Sequence, residues 1–367
     1  MAVPDWPNSF GYNMFAFPIS KWVGGVHYEH PHRLIASLAG LLTSILCVWL
    51  WCRETTGRER WTVVGGVLAM LVLMGLRQLP VYFMIGAVAL AIMVYSLSRA
   101  VQAADSLRWL GLLAFGAVVL QGILGGLRVV LFRDEIGIFH ATLAQLFLLL
   151  ICAIALMTSR FWLGARERFA QVAPAPRIVQ KLFVAATALI FVQLFLGATM
   201  RHQHAGLAIA DFPLAYGKLW PAMDAGAITI YNQQRMEIVG VKEITAFQVG
   251  LQMVHRLMAG AILAVVLAAA FSSLRGLGGR HPLTRIAFAW VAIVVMQAFL
   301  GAATIWTKKA ADIATAHVLM GAASLVTGGL SWLLIRTCFR SAAEPALSRS
   351  YAAGCLPETV VAMPVAK

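Results

Sequence analysis

Residues 249–271 read VGLQMVHRLMAGAILAVVLAAAF, and this stretch decides the fold. As a helix rising 1.5 Å per residue it extends roughly 34 Å, enough to cross a hydrocarbon core of ~30 Å. Beyond Arg256 it carries no polar side chain. A helix on the surface of a soluble domain needs a polar stripe; this one is apolar on every side, so its surroundings are lipid or other helices. Its polar groups, Gln252, His255 and Arg256, gather near one end.

Comparable runs recur along the chain. Nine candidate spans can be drawn, near 32–53, 62–77, 80–97, 108–131, 138–159, 182–200, 249–271, 284–306 and 313–336. The chain is 60% hydrophobic and 12% charged, about half the charged share of an ordinary soluble domain. The fold class is therefore an all-α polytopic membrane protein.

A net charge of +14 raises the question of nucleic acid, and the positions of the charges answer it. With the first loop outside, the short inner loops collect Arg53, Arg58, Arg60, Arg99, Arg108, Arg160, Arg166, Arg168, Arg177, Lys181, Arg275, Arg280 and Arg285, and the tail adds Arg336, Arg340, Arg349 and Lys367. These are 17 of the 29 basic residues, the distribution that the positive-inside rule demands. The charge orients the protein in lipid, and no nucleic-acid partner is expected. Cys47, Cys52, Cys152 and Cys338 lie in or at the inner ends of spans and Cys355 in the tail. No disulfide is expected from them, and no C-x-x-C-H indicates covalent heme attachment.

The sequence repeats itself. AVPDWPNSFG at 2–11 matches AIADFPLAYG at 208–217 without a gap; HRLIASLAG from His32 answers HRLMAGAIL from His255; VLQGILGG, with Gln121 and Gly125, answers VMQAFLGA, with Gln297 and Gly301. Each of the last pair leads into a helix with an early histidine, His140 or His317. The halves are 1–160 and 182–340, joined by an inner linker at 161–181 and followed by a tail at 341–367. His32 and His140 are 108 residues apart but His255 and His317 only 62, an excess of 46 that corresponds to 61–106. That insertion reads either as two thin spans broken near Pro80 or as a re-entrant hairpin. The second half opens with a span holding Gln193 and Gly197, for which the first half has no counterpart; the repeat predicts a first helix ahead of Met1.

Alternating spans bring His32 and His140 to similar depth near the outer face, and His255 and His317 likewise. Paired histidines on facing helices are where bundles hold heme iron, and intramembrane ionisable groups are functional candidates. Arg33, Arg128, Arg201 and Arg256 at the same end suit the carboxylates of heme propionates. His27, His30, His202 and His204 read as exposed polar residues in or near outer loops. Glu29 stands three residues before His32, where the second half has Gln252. A carboxyl beside a redox cofactor can handle protons, so the first half reads as reactive and the second as a stable heme site.

These residues resemble the heme A synthase family over nearly the whole chain apart from 61–106 and the tail. The elements that carry the likeness are AVPDWP, the E-x-x-H-R of Glu29 to Arg33, LGGLRV with Arg128, FHATLAQ around His140, HAGLAIADFP, His255-Arg256 and His317. The resemblance implies two helical bundles related by pseudo-twofold symmetry. It implies that His32 and His140 hold heme O as substrate and that His255 and His317 hold a permanent heme b. It implies that Glu29 is needed for activity, and that the methyl group of heme O becomes a formyl group in two oxidations. Heme O synthase and a redox donor or acceptor protein are the implied partners, and a bacterial plasma membrane, with the C-terminus cytoplasmic, is the implied location. The outer-loop cysteine pair of many members is absent. Two rivals share some of these features: a diheme b-type electron-transfer protein, such as a quinol-linked reductase, and a transporter with repeated halves.

Overall fold

The computed structural model describes residues 2–76, 78–103, 106–239 and 243–339. The tail expected at 341–367 lies outside them. The described residues form twelve α-helices: α1 Val26–Glu54, α2 Gly57–Met74, α3 Leu79–Gln102, α4 Leu107–Leu131, α5 Asp134–Met157, α6 Arg160–Leu163, α7 Ala165–Arg168, α8 Arg177–His202, α9 Ala225–Val239, α10 Ala246–Leu277, α11 Pro282–Trp306 and α12 Ala311–Cys338. Eight of them, all but α2, α6, α7 and α9, are long and apolar enough to cross a membrane. In lipid the helix is the form that satisfies every backbone polar group internally, and its ends need local partners. α10 begins with a capping box of Thr245 and Gln248. α11 begins at Pro282, with the His281 ring accepting from the Leu283 amide. Glu54, closing α1, accepts from Ser106 Oγ and from the Leu107 and Arg108 amides, and so starts α4.

α8, α10, α11 and α12 close into a ring, each touching the next. Phe183, Val266, Ala287, Trp290 and Leu325 fill its centre, and the buried Trp290 indole donates to Ser324 Oγ at 2.9 Å. On the other side α4 lies among α1, α3 and α5, and α5 packs on α8 and α12 to join the two groups.

The stretch at 61–106 forms two helices. α3 runs antiparallel to α4 along its length: Gly86 meets Ile123, Ala89 and Met93 meet Gly116, and Tyr95 meets Trp109. α3 thus reaches the same depths as α4 and is longer than the span expected at 80–97. α2 is shorter, roughly 27 Å, and Arg58, Glu59 and Arg60 in its first turn leave a still shorter apolar run. Its last residue, Met74, packs at Gly122 of α4. Together α2 and α3 cover one flank of α1 and α4 with Val67, Met70, Tyr82, Ile85 and Ala89.

Trp6, from the segment that precedes α1, enters the crevice between α3 and α4. Its ring lies against Tyr82 at 4.6 Å and on the bare backbone of Gly126. A β-carbon at Gly126 would overlap that ring, so Gly126→Ala should expel Trp6 and cost about 1–3 kcal/mol. Gly65 has open space around it, and Gly65→Ala should cost nothing. Thermal melting of the two variants in detergent checks this; equal melting points would refute the packing role of Gly126.

Candidate functional site

Helix starts set the depth of the histidines. His32, His140 and His317 are each the seventh residue of α1, α5 and α12, and His255 is the tenth of α10. All four therefore lie at one end of the molecule, about 9–14 Å inside their helix starts. His140 is within electrostatic range of His32, and His255 of His317.

Two imidazoles sit in matching cradles. The His140 ring lies on Gly125, where an added β-carbon would meet Cε1 at 3.1 Å, and its Nδ1 is 3.1 Å from the Gln121 carbonyl oxygen. The His317 ring lies on Gly301 at the same 3.1 Å, with Nδ1 3.1 Å from the Gln297 carbonyl oxygen. A carbonyl only accepts, so each Nδ1 carries the proton and each Nε2 keeps a lone pair for a metal. His255 faces Gly197 of α8, and its own carbonyl accepts from Gln193 Nε2 at 2.9 Å, as the His140 carbonyl accepts from Gln121 Nε2 at 2.8 Å. The Q-x-x-x-G pattern on a neighbouring helix thus makes room for three of the four rings. His32 is the exception, exposed on α1.

The loops at the histidine end repeat one geometry. Asp5 accepts from the Phe10 and Gly11 amides, and Asp211 from the Tyr216 and Gly217 amides. Phe10 and Tyr216 both adopt left-handed φ, 51° and 53°. Arg33 donates to the Asp5 and Asn8 carbonyls at 2.7 and 3.0 Å, and Arg256 to those of Asp211 and Leu214 at 2.7 and 2.9 Å. Both guanidiniums, read from the sequence as partners of propionates, are engaged with loop backbone. Tyr216, stacked on Tyr231 at 3.6 Å, donates to the Ala208 carbonyl; burial pushes its hydroxyl up to about 12, which keeps it a donor.

Glu29 and Gln252 take corresponding places. Glu29 Oε2 accepts from the Ala2 and Val3 amides at 2.6 and 3.3 Å, and Oε1 from Arg33 at 2.9 Å. Gln252 accepts from the Ile209 amide at 2.7 Å and donates to its carbonyl at 3.2 Å. The asymmetry between carboxyl and amide stands, but both side chains anchor a loop at the histidine end.

Arg128 and Arg201 are placed differently. With Phe132, Arg133, Asp134, His202, His204 and Lys309 they line a cavity of about 360 Å³ at the histidine end, and both are within electrostatic range of His32. His202, read as an exposed residue, is 5% exposed and packs on Gly137 of α5, one turn before His140. His30 is also buried, 1% exposed, with Nδ1 3.1 Å from Ser9 Oγ. Both helices extend past the apolar runs that marked the spans: α8 carries His202 onto α5, and the early start of α1 places His30 under the preceding segment, against Phe17 and Trp22. His27 and His204 are exposed as expected.

Among the described residues no three His, Cys, Asp or Glu side chains converge on a metal position. Two imidazoles at a site, and no third ligand, suit a metal whose other ligands come with it, which is the case for a porphyrin. The glycine cradles and free Nε2 lone pairs fit that group.

A family model described as cytochrome oxidase assembly protein, COX15-CtaA, matches residues 83–328. A protein named heme A synthase from Methylobacterium radiotolerans is 33% identical over 117 residues, 32% of each chain. One of the same name from Methylorubrum extorquens is 26% identical over 302 residues, 82% of this chain and 63% of the relative. A third, from Geobacillus kaustophilus, is 23% identical over 331 residues, 89% of this chain and 80% of the relative. The match thus spans less than two thirds of the first two relatives.

Proposed function

This chain belongs to the COX15-CtaA family of cytochrome oxidase assembly proteins, and from that membership we propose that it is a heme A synthase, oxidising the methyl group of heme O to a formyl group. The carrying observation is the pair of matched cradles, His140 on Gly125 with Gln121 and His317 on Gly301 with Gln297. In this reading residues 1–160 and 182–340 are two bundles related by pseudo-twofold symmetry. The first holds heme O between His32 and His140, and the second holds heme b between His255 and His317. Heme b, when bound, supplies a one-electron redox centre.

The reaction takes the methyl carbon through an alcohol and a hydrated aldehyde; each step adds the oxygen of one water and releases two electrons and two protons, and the hydrate loses water to leave the formyl group. The protein's part is orientation and proton handling. His32 and His140 fix the porphyrin plane, and Arg128 and Arg201, at the cavity, receive propionates. Arg33 and Arg256 hold the outer loops over the two sites. Glu29, a helix turn from His32, accepts protons released at the carbon. In this reading the histidine end faces outside, which the basic residues at the opposite helix ends support. Heme O synthase delivers the substrate, and a redox protein exchanges the electrons.

One observation favours a second reading, a diheme electron-transfer protein: Glu29 and Gln252 both anchor loops, so the carboxyl has a purpose without chemistry. The two readings part when the protein is expressed in cells that make heme O and pigments are extracted. The proposal expects heme A to appear; two bound hemes with heme O unaltered would sink it.

A further inference from the structure

At the end opposite the histidines, a groove of about 700 Å³ opens between α8 and α12. Arg336, at its rim, is about 28 Å along α12 from His317. The lining sorts by chemistry: Arg177, Gln180, Lys181 and Arg336 stand at the rim, and Val184, Ala185, Trp332 and Ile335 form the walls. On α8 these positions are one face, spaced by threes and fours. The Arg336 guanidinium lies 4.9 Å over the Trp332 ring, which holds the cation at the mouth. No carboxylate lines the groove among the described residues.

We propose that this groove binds an acidic phospholipid, its phosphate held by Lys181 and Arg336 and its acyl chains lying along Val184, Ala185 and Ile335. Cations above an apolar wall complement an anionic headgroup above its chains, and basic pockets between spanning helices bind such headgroups. A free phosphate would find the same cations but leave the walls unused. The first half lacks the feature: in the register that aligns His140 with His317, Trp332, Ile335 and Arg336 correspond to Ala155, Thr158 and Ser159. The groove therefore belongs to the second bundle, where a bound lipid would brace α8 against α12, the two helices that carry Gly197 and His317.

The test uses the full chain in nanodiscs of phosphatidylcholine alone or with one fifth phosphatidylglycerol, with thermal melting and mass spectrometry of retained lipid as readouts. Phosphatidylglycerol should raise the melting point of the parent protein. Lys181→Gln/Arg336→Gln should lose that rise and retain the lipid about fivefold more weakly per cation removed, equivalent to ~1 kcal/mol each. The control pair Arg275→Gln/Arg280→Gln, at the same end but outside the groove, should keep the rise. Equal loss in both pairs would reduce the effect to general surface charge and overturn the proposal, as would no rise in the parent. So would an equal rise from inorganic phosphate in phosphatidylcholine discs, which would make the site one for a free anion.

Discussion

Glu29→Gln is expected to lower heme O conversion by about 10²–10⁴-fold, the usual worth of a positioned acid–base group, while the protein stays folded and takes up heme. Gln252 indicates why the fold should survive. An amide at that place accepts from the Ile209 amide and donates to its carbonyl, and the side-chain oxygen of the Glu29→Gln variant can accept from Ala2 and Val3 in the same way. What is lost is the Arg33–Glu29 ion pair at 2.9 Å, whose members are 8% and 22% exposed. Arg33 keeps its bonds to the Val3, Asp5 and Asn8 carbonyls, so the cost is about 1 kcal/mol. Glu29→Ala removes the anchor and the carboxyl together and cannot separate the two roles. Extracted heme A per bound heme, with melting points alongside, is the measurement. If Glu29→Gln retained full conversion, Glu29 would be a loop anchor and proton handling would pass to another group.

Eight of the nine expected spans were legible in the sequence because length and hydropathy suffice for them; the ninth, at 62–77, falls on α2, which is not long and apolar enough. The depth of the histidines followed from the spans, since each ring lies near a helix start. The limits were physical too. The end of α3 carries Ser96, Ser98, Arg99 and Gln102, which look like a loop; the helix continues because Ser98 bonds back to the Tyr95 carbonyl and Arg99 stacks on Trp109 at 5.1 Å. Arg33 and Arg256 were read toward heme because each follows a candidate ligand histidine in sequence. Consecutive residues on a helix point about 100° apart, so a side chain beside His32 in the chain faces elsewhere, here the loop. Glu29 and Arg33, four apart, share a face and pair. Burial of His202 had no sequence signal beyond Gly137, whose missing side chain the ring fills.

The glycine cradles carry the second large expectation. If two hemes are bound as proposed, His317→Ala should abolish one of them, because the variant lacks the Nε2 that the cradle presents. Gly301 should report the same site by size. Its added β-carbon would meet Cε1 of His317 at 3.1 Å, which a shift of a few tenths of an ångström relieves, so Gly301→Ala should bind heme slightly more weakly. Gly301→Val should tip the ring and weaken binding about 10–100-fold, the usual effect of disturbing what orients a metal ligand. Gly260, on α10 with open space around it, is the control, and Gly260→Ala should bind as the parent does. Pyridine hemochrome content per polypeptide and reduced-minus-oxidised spectra give the readout. The same series at Gly125 should leave the second-site spectrum intact and lower heme O conversion instead. That contrast separates the sites without removing a single histidine: if Gly125→Val and Gly301→Val changed the same spectral component, the division of the two hemes between two bundles would be wrong.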